Sequence, residues 1–160
     1  MAILRPAVRE DAQEIADLYL ESRKTFLPFA PLRHTDEEVR RWIADSLIPA
    51  GGVVVATTAA GLAGMIAISR GAQCGWIQQL YVRPSWVARG IGTQLLEWAL
   101  REINAPVRLY TFQANTAARG FYERHGFIPI ACSDGSNNEE KCPDVLYERQ
   151  LAGGGGGGAA

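Results

Sequence analysis

The run Arg89-Gly90-Ile91-Gly92 joins a β-rich stretch to a segment in which Ile91, Leu95, Ala99 and Ile103 repeat at helical spacing. A glycine turn at a helix start leaves backbone N–H groups that no helical carbonyl can satisfy. Together with roughly half a positive charge from the helix dipole, these groups make an anion site. Gly90 and Gly92 carry no Cβ, so a phosphate could approach the backbone there. The turn is not a Walker motif, because no GK[ST] follows. The full GxGxxG fingerprint is also missing, since Leu95 stands where its third glycine would be.

Charge adds to this. From Ser46 to Leu96 there is no Asp or Glu, while Arg70, Arg83 and Arg89 fall inside the stretch. Two readings are open: the buried centre of a sheet, where charges are rare, or a site for a polyanion, which a carboxylate would repel. Two further side chains could move protons. Tyr122 lies on a helical face with Ala118, Phe121 and His125. It is either a core tyrosine with a satisfied hydroxyl or a proton donor. His34 precedes a helix start, and an ordinary imidazole pKa of about 6.5 suits a base. It could equally be an exposed loop histidine.

The elements that must position these residues follow from periodicity. Residues 2–5 read as a strand. Asp11, with Glu14 three residues on, opens a helix carrying Ile15, Leu18 and Tyr19 on one face. A loop with two prolines follows over 26–32. Thr35 and Glu38 form a capping box before an apolar stripe of Val39, Trp42, Ile43 and Leu47. Strands are expected over 53–57, 62–69, 76–82, 107–112, 127–131 and 145–151, with a hairpin around 59–61. Asn115 or Thr116 caps the helix of Tyr122, and Gly126 ends it. The order β, α, α, three strands, α, β, α, β, β describes one α/β (α+β) layer domain over residues 1–151, with helices covering a mixed sheet. The glycine-rich stretch 152–160 is expected to be a flexible tail.

The bulk numbers agree with one globular domain. The chain has 160 residues, 48% of them hydrophobic, and a net charge of −1. That balance gives no electrostatic case for nucleic acid or an anionic membrane. Residues 1–9 carry no apolar h-region, and no apolar run is long enough to span a bilayer. Three cysteines, Cys74, Cys132 and Cys142, show no CxxC spacing, so neither a disulfide framework nor a metal site is expected. The expected compartment is the cytoplasm.

Two motifs make the turn specific. The run LYVRPSWVARGIGTQLLEWA resembles the acetyl-CoA motif of the GNAT superfamily of N-acetyltransferases, Q/R-x-x-G-x-G/A, with Val87 standing where Gln or Arg is usual. About twenty residues on, NTAARGFYERHGF resembles the later motif of the same family, with Asn115, Ala118, Phe121, Tyr122, Gly126 and Phe127 matching. The resemblance covers nearly everything from Ile3 to Leu151. It implies the GNAT acyltransferase fold, with six to seven strands and about four helices, and acetyl-CoA as co-substrate without a metal.

The resemblance also implies roles for residues. The backbone of Leu80, Tyr81 and Val82 would pair with the pantetheine arm, which is physically sensible because a pantetheine is peptide-like. Ala88, Arg89, Gly90, Ile91, Gly92 and Thr93 would cradle phosphates, with Asn115 a helix cap, a CoA contact, or both. Tyr122 would lie near the thioester sulfur as general acid, and His34 would fall in a region that lines the acceptor cleft in relatives. Many relatives carry a Glu base on the strand before the turn, but here that strand reads Trp76-Ile77-Gln78-Gln79-Leu80. An amide cannot take a proton at neutral pH. Two functional readings remain: acetyl transfer to a primary amine of a small molecule or peptide within a ternary complex, or a non-catalytic acyl-CoA-binding sensor on the same scaffold. A homodimer is left open.

Overall fold

Residues Ile3–Pro6 (β1), Val53–Thr58 (β2), Gly61–Arg70 (β3), Gly75–Val82 (β4), Val107–Phe112 (β5), Ile128–Ser133 (β6) and Asp144–Arg149 (β7) form one sheet. Its order is β1-β2-β3-β4-β5-β7-β6. The computed structural model describes residues 2–151, so the segment 152–160, expected to be a flexible tail, lies outside the described residues. Every neighbouring pair is antiparallel except β4 and β5, which run parallel across the middle. The helices are Ala12–Phe26 (α1), Asp36–Trp42 (α2), Ile91–Glu102 (α3) and Thr116–Arg124 (α4).

Alternation along the strands divides the core into two layers. Val53, Val55, Met65 and Ala67 face one side and pack against Ile15, Leu18 and Tyr19 of α1 and Val39 of α2. Val54, Ala56, Ile66 and Ile68 face the other side and meet Ile91, Leu95, Leu96 and Ala99 of α3 and Tyr122 of α4. β2 and β3 are therefore apolar on both faces, which accounts for the part of the acid-free stretch that they carry.

Helix starts depart from the pattern once. Thr35 Oγ1 accepts from Glu38 N at 3.1 Å and Glu38 Oε1 accepts from Thr35 N at 2.9 Å, so the capping box is present there. Asp11 stands at the head of α1 but makes no cap. Its carboxylate is instead held by Arg5 through two hydrogen bonds of 2.8 Å and by Val8 N at 2.8 Å. Glu14 accepts from Leu62 N at 2.9 Å, across to β3. Strong tertiary partners outcompete a local cap. The stripe following α2 continues through a π-turn over Ile43–Leu47.

Candidate active site

The parallel pair β4/β5 is joined only at Gly75–Val107 and Trp76–Arg108. Gly75 N also donates to Pro106 O at 2.8 Å. Beyond Trp76 the two strands diverge, and a cavity of about 120 Å³ opens between them. Residues 77–81 of β4 and 109–112 of β5 line it, together with Arg23, Leu27, Asn115, Ala118 and Tyr122. The β4 edge facing this cleft has no strand partner there, so an extended, amide-rich ligand can pair with it. Ala67 pairs with Gln79 and Ile68 with Ile77, which makes Gln78 the extra residue of a bulge in the strand wall. Leu80 and Tyr81 line the cleft, whereas the Val82 carbonyl already accepts from Ser22 Oγ at 2.9 Å.

From Val82 the chain turns through a 3-10 segment, Pro84–Trp86, into α3. Ala88, with φ 61°, and Gly90, with φ 84°, are both left-handed. That conformation is uncommon for alanine and native to glycine. The first intrahelical bond of α3 runs from Gln94 N to Gly90 O at 3.0 Å. The N–H groups of Ile91, Gly92 and Thr93 precede it, no side chain caps them, and no acid sits in the first turn. This donor set suits an anion such as a pyrophosphate. Arg70 pairs with Glu102 at 3.3 Å and Arg83 with Glu21 at 3.1 Å. Arg89 is exposed, has no ion pair among the described residues, and lies 4.9 Å over the Trp86 ring.

The two glycines do different work. A Cβ on Gly90 would meet nothing within 4 Å, so its requirement is conformational. A Cβ on Gly92 would lie 3.4 Å from Phe121 and 3.7 Å from Val82. The first turn of α3 therefore sits where the end of β4 meets α4, beside the cleft.

Asn115 Oδ1 accepts from Ala118 N at 3.1 Å and caps α4, and the residue also lines the cleft. Tyr122 is buried against Phe121 at 5.3 Å and Phe127 at 5.6 Å between ring centres. No hydrogen bond among the described residues takes up its hydroxyl. Burial, with a smaller contribution from Tyr81, pushes this phenol up, so it keeps its proton at neutral pH.

His34 stands outside the residues that line the cleft. Its imidazole meets Glu139 through Nε2, lies 3.9 Å from Glu38, and has a side chain 44% exposed. It fastens the loop 134–143, between β6 and β7, to the loop that follows α1. Cys142 Sγ lies 3.3 Å from the Phe29 carbonyl and adds a second tie. Phe29 also meets Phe112 of β5 edge-on at 6.0 Å. All three cysteines are free.

Sequence reasoning missed two charged residues at this site. Arg23 lines the cleft and is only 6% exposed. Glu140, from the 134–143 loop, approaches Arg23 to 3.7 Å. Arg23 carries a readable signal, because it continues the stripe Ile15, Leu18, Tyr19, Ser22 along the buried face of α1. A cation there is rarely idle. Glu140 has no comparable signal, since only the folded loop brings it beside Arg23.

Comparison with known proteins agrees with this geometry. A model of the acetyltransferase (GNAT) family matches residues 13–127. The solution structure of apo YjaB from Escherichia coli superposes with a TM-score of 0.73 at 19% identity, covering 96% of this chain and 99% of that one. The PaiA N-acetyltransferase of Thermoplasma acidophilum, solved with coenzyme A, gives 0.73 at 20% identity, covering 94% and 99%. A putative GNAT acetyltransferase from Desulfovibrio desulfuricans gives 0.75 at 20%, covering 95% and 100%. No curated protein matches the chain in sequence. The family match spans most of the chain, both motifs fall on the opened β4/β5 joint, and the chain belongs to the GNAT acetyltransferase family.

Proposed function

We propose that the protein transfers the acetyl group of acetyl-CoA to a primary amine of a small molecule or peptide, by direct attack in a ternary complex. The observation that carries this reading is the opened β4/β5 joint. It sets an unpaired strand edge, an uncapped helix start and a buried, protonated phenol around one cleft.

Acetyl-CoA supplies an acyl group already activated as a thioester. The N–H groups of Ile91, Gly92 and Thr93, with Arg89, hold its phosphates. The free edge of β4 around Leu80 and Tyr81 holds the pantetheine arm. The amine nitrogen forms a bond to the thioester carbon and the carbon–sulfur bond breaks. Tyr122 gives its proton to the departing thiolate. The ammonium sheds two protons in all. Glu140 takes the first and passes it to solvent, and the second restores the Tyr122 phenol. Gln78 and Gln79 can orient water or the acetyl oxygen but cannot serve as the base.

The test is a panel of amines followed by release of CoA thiol, beside calorimetric titration with acetyl-CoA. Amine-dependent thiol release supports transfer. Tight acetyl-CoA binding with no release across the panel would favour a sensor on the same scaffold, a reading the carboxylate-free β4 strand invites.

A further inference from the structure

Arg23 is an incompletely answered buried charge. A guanidinium offers five N–H donors. Here Nη2 donates to the Ala30 carbonyl at 3.0 Å and Nη1 to the Tyr81 hydroxyl at 3.3 Å, while Nε is buried with no partner. Its carboxylate neighbour, Glu140, stands 3.7 Å away, beyond hydrogen-bond distance. A buried charge that lacks a hydrogen-bonded counter-charge is costly to keep. The Ala30 carbonyl alone would be served as well by a neutral donor.

Position says what would complete it. Arg23 lines the β4/β5 cleft together with Tyr122. Glu140 lines an adjoining cavity of about 480 Å³ with Asn138 and Asp144. The two cavities share Tyr110, Thr111 and Phe112. A cation and an anion therefore stand side by side where the cavities meet, beside aromatic walls. A simple cationic amine would answer Glu140 and leave Arg23 unanswered. An amine with a carboxylate on the neighbouring carbon answers both.

We infer that the acceptor is of the amino-acid class: its carboxylate is held by Arg23, and its ammonium meets Glu140 before transfer. This rests on the acetyl-transfer reading above for the word acceptor, but the recognition itself is measured by binding.

The probes are matched pairs, each an amino acid and the amine left when hydrogen replaces its carboxylate: phenylalanine with phenethylamine, and methionine with 3-(methylthio)propylamine. Each is titrated calorimetrically into the full chain saturated with CoA. Charge-assisted hydrogen bonds predict that the amino acid binds about tenfold to a hundredfold tighter than its partner. Arg23→Gln should abolish that contrast while CoA affinity holds. Should Arg23→Gln fail to fold, Glu140→Gln must weaken both members of each pair and keep the carboxylate preference. Equal affinities within the pairs, tighter binding of the amines, no binding of either amino acid, or a contrast that survives Arg23→Gln would each overturn the inference. Thiol release is read separately. A contrast without release counts against acetyl transfer and supports the carboxylate site; thiol release with phenethylamine at a kcat/KM no lower than with phenylalanine supports transfer and counts against the carboxylate site.

Discussion

Replacing Tyr122 by phenylalanine separates chemistry from structure. The ring keeps its contacts with Phe121, Phe127 and Tyr147, and the hydroxyl has no partner among the described residues to lose. Stability should therefore change by less than about 1 kcal/mol, since no hydrogen bond is broken. Acetyl-CoA affinity should stay within a few-fold, because the phosphate site proposed above lies elsewhere, at the start of α3. Turnover should fall by about 10²-fold or more, equivalent to roughly 2.7 kcal/mol of barrier, the scale of one positioned proton donor. Because burial raises the phenol, the wild-type rate should show no loss of this acid up to about pH 10, where an ordinary tyrosine is already half ionised. The decisive assay is single-turnover thiol release from preformed protein–acetyl-CoA complex on mixing with amine, which product release cannot mask. A folded Tyr122→Phe protein that releases thiol at the wild-type single-turnover rate would refute the argument.

Three further outcomes are expected. Gly90→Ala forces a Cβ into a left-handed residue and should cost about 1–2 kcal/mol by urea denaturation. Gly92→Ala sets its Cβ at contact distance from Phe121 and Val82, away from the uncapped N–H groups, so it should fold normally and keep acetyl-CoA affinity within a few-fold by calorimetry; a loss beyond about tenfold would place the phosphates against Gly92 itself. His34→Ala releases the imidazole from Glu139 and should lower kcat/KM for the amine severalfold with acetyl-CoA affinity intact; identical steady-state constants would confine His34 to a surface role. Tyr19 and Tyr122 both keep their protons longer in the folded state than in the unfolded chain, so above about pH 10 the unfolded state binds fewer protons and stability falls as pH rises. Each phenol adds a slope of about 1.4 kcal/mol per pH unit there, and equal slopes for wild type and Tyr122→Phe in alkaline urea titrations would rule out that contribution.

Much of the fold was legible because its signals are local. The stripe Ile91–Leu95–Ala99–Ile103, the Thr35–Glu38 cap, the Asn115 cap and the left-handed Gly126 each depend on neighbours in sequence. What depends on distant partners was not legible. Asp11 looks like a helix cap until Arg5 folds beside it. The insertion of β7 between β5 and β6 leaves no local trace. The glycine pair reads as one motif, yet one member answers to backbone conformation and the other to contact with α4. Periodicity can mark Arg23 as a charge on a buried face. Its nearest carboxylate arrives from Glu140, more than a hundred residues later, through a loop that hydrophobic patterning does not describe.

The two-rung joint between β4 and β5 carries a consequence for how the molecule opens. Four strands on one side and three on the other form separate hydrogen-bonded blocks, bridged at Gly75 and Trp76 and by the packing of α3 and α4. Blocks so thinly laced can breathe apart at less than the full cost of unfolding. Amides of β4 and β5 past the joint should exchange with solvent sooner than those of β2 and β3. A ligand that lies between the splayed edges takes the place of a missing strand. It would weld the two blocks into one cooperative unit and slow exchange on both sides of the seam at once.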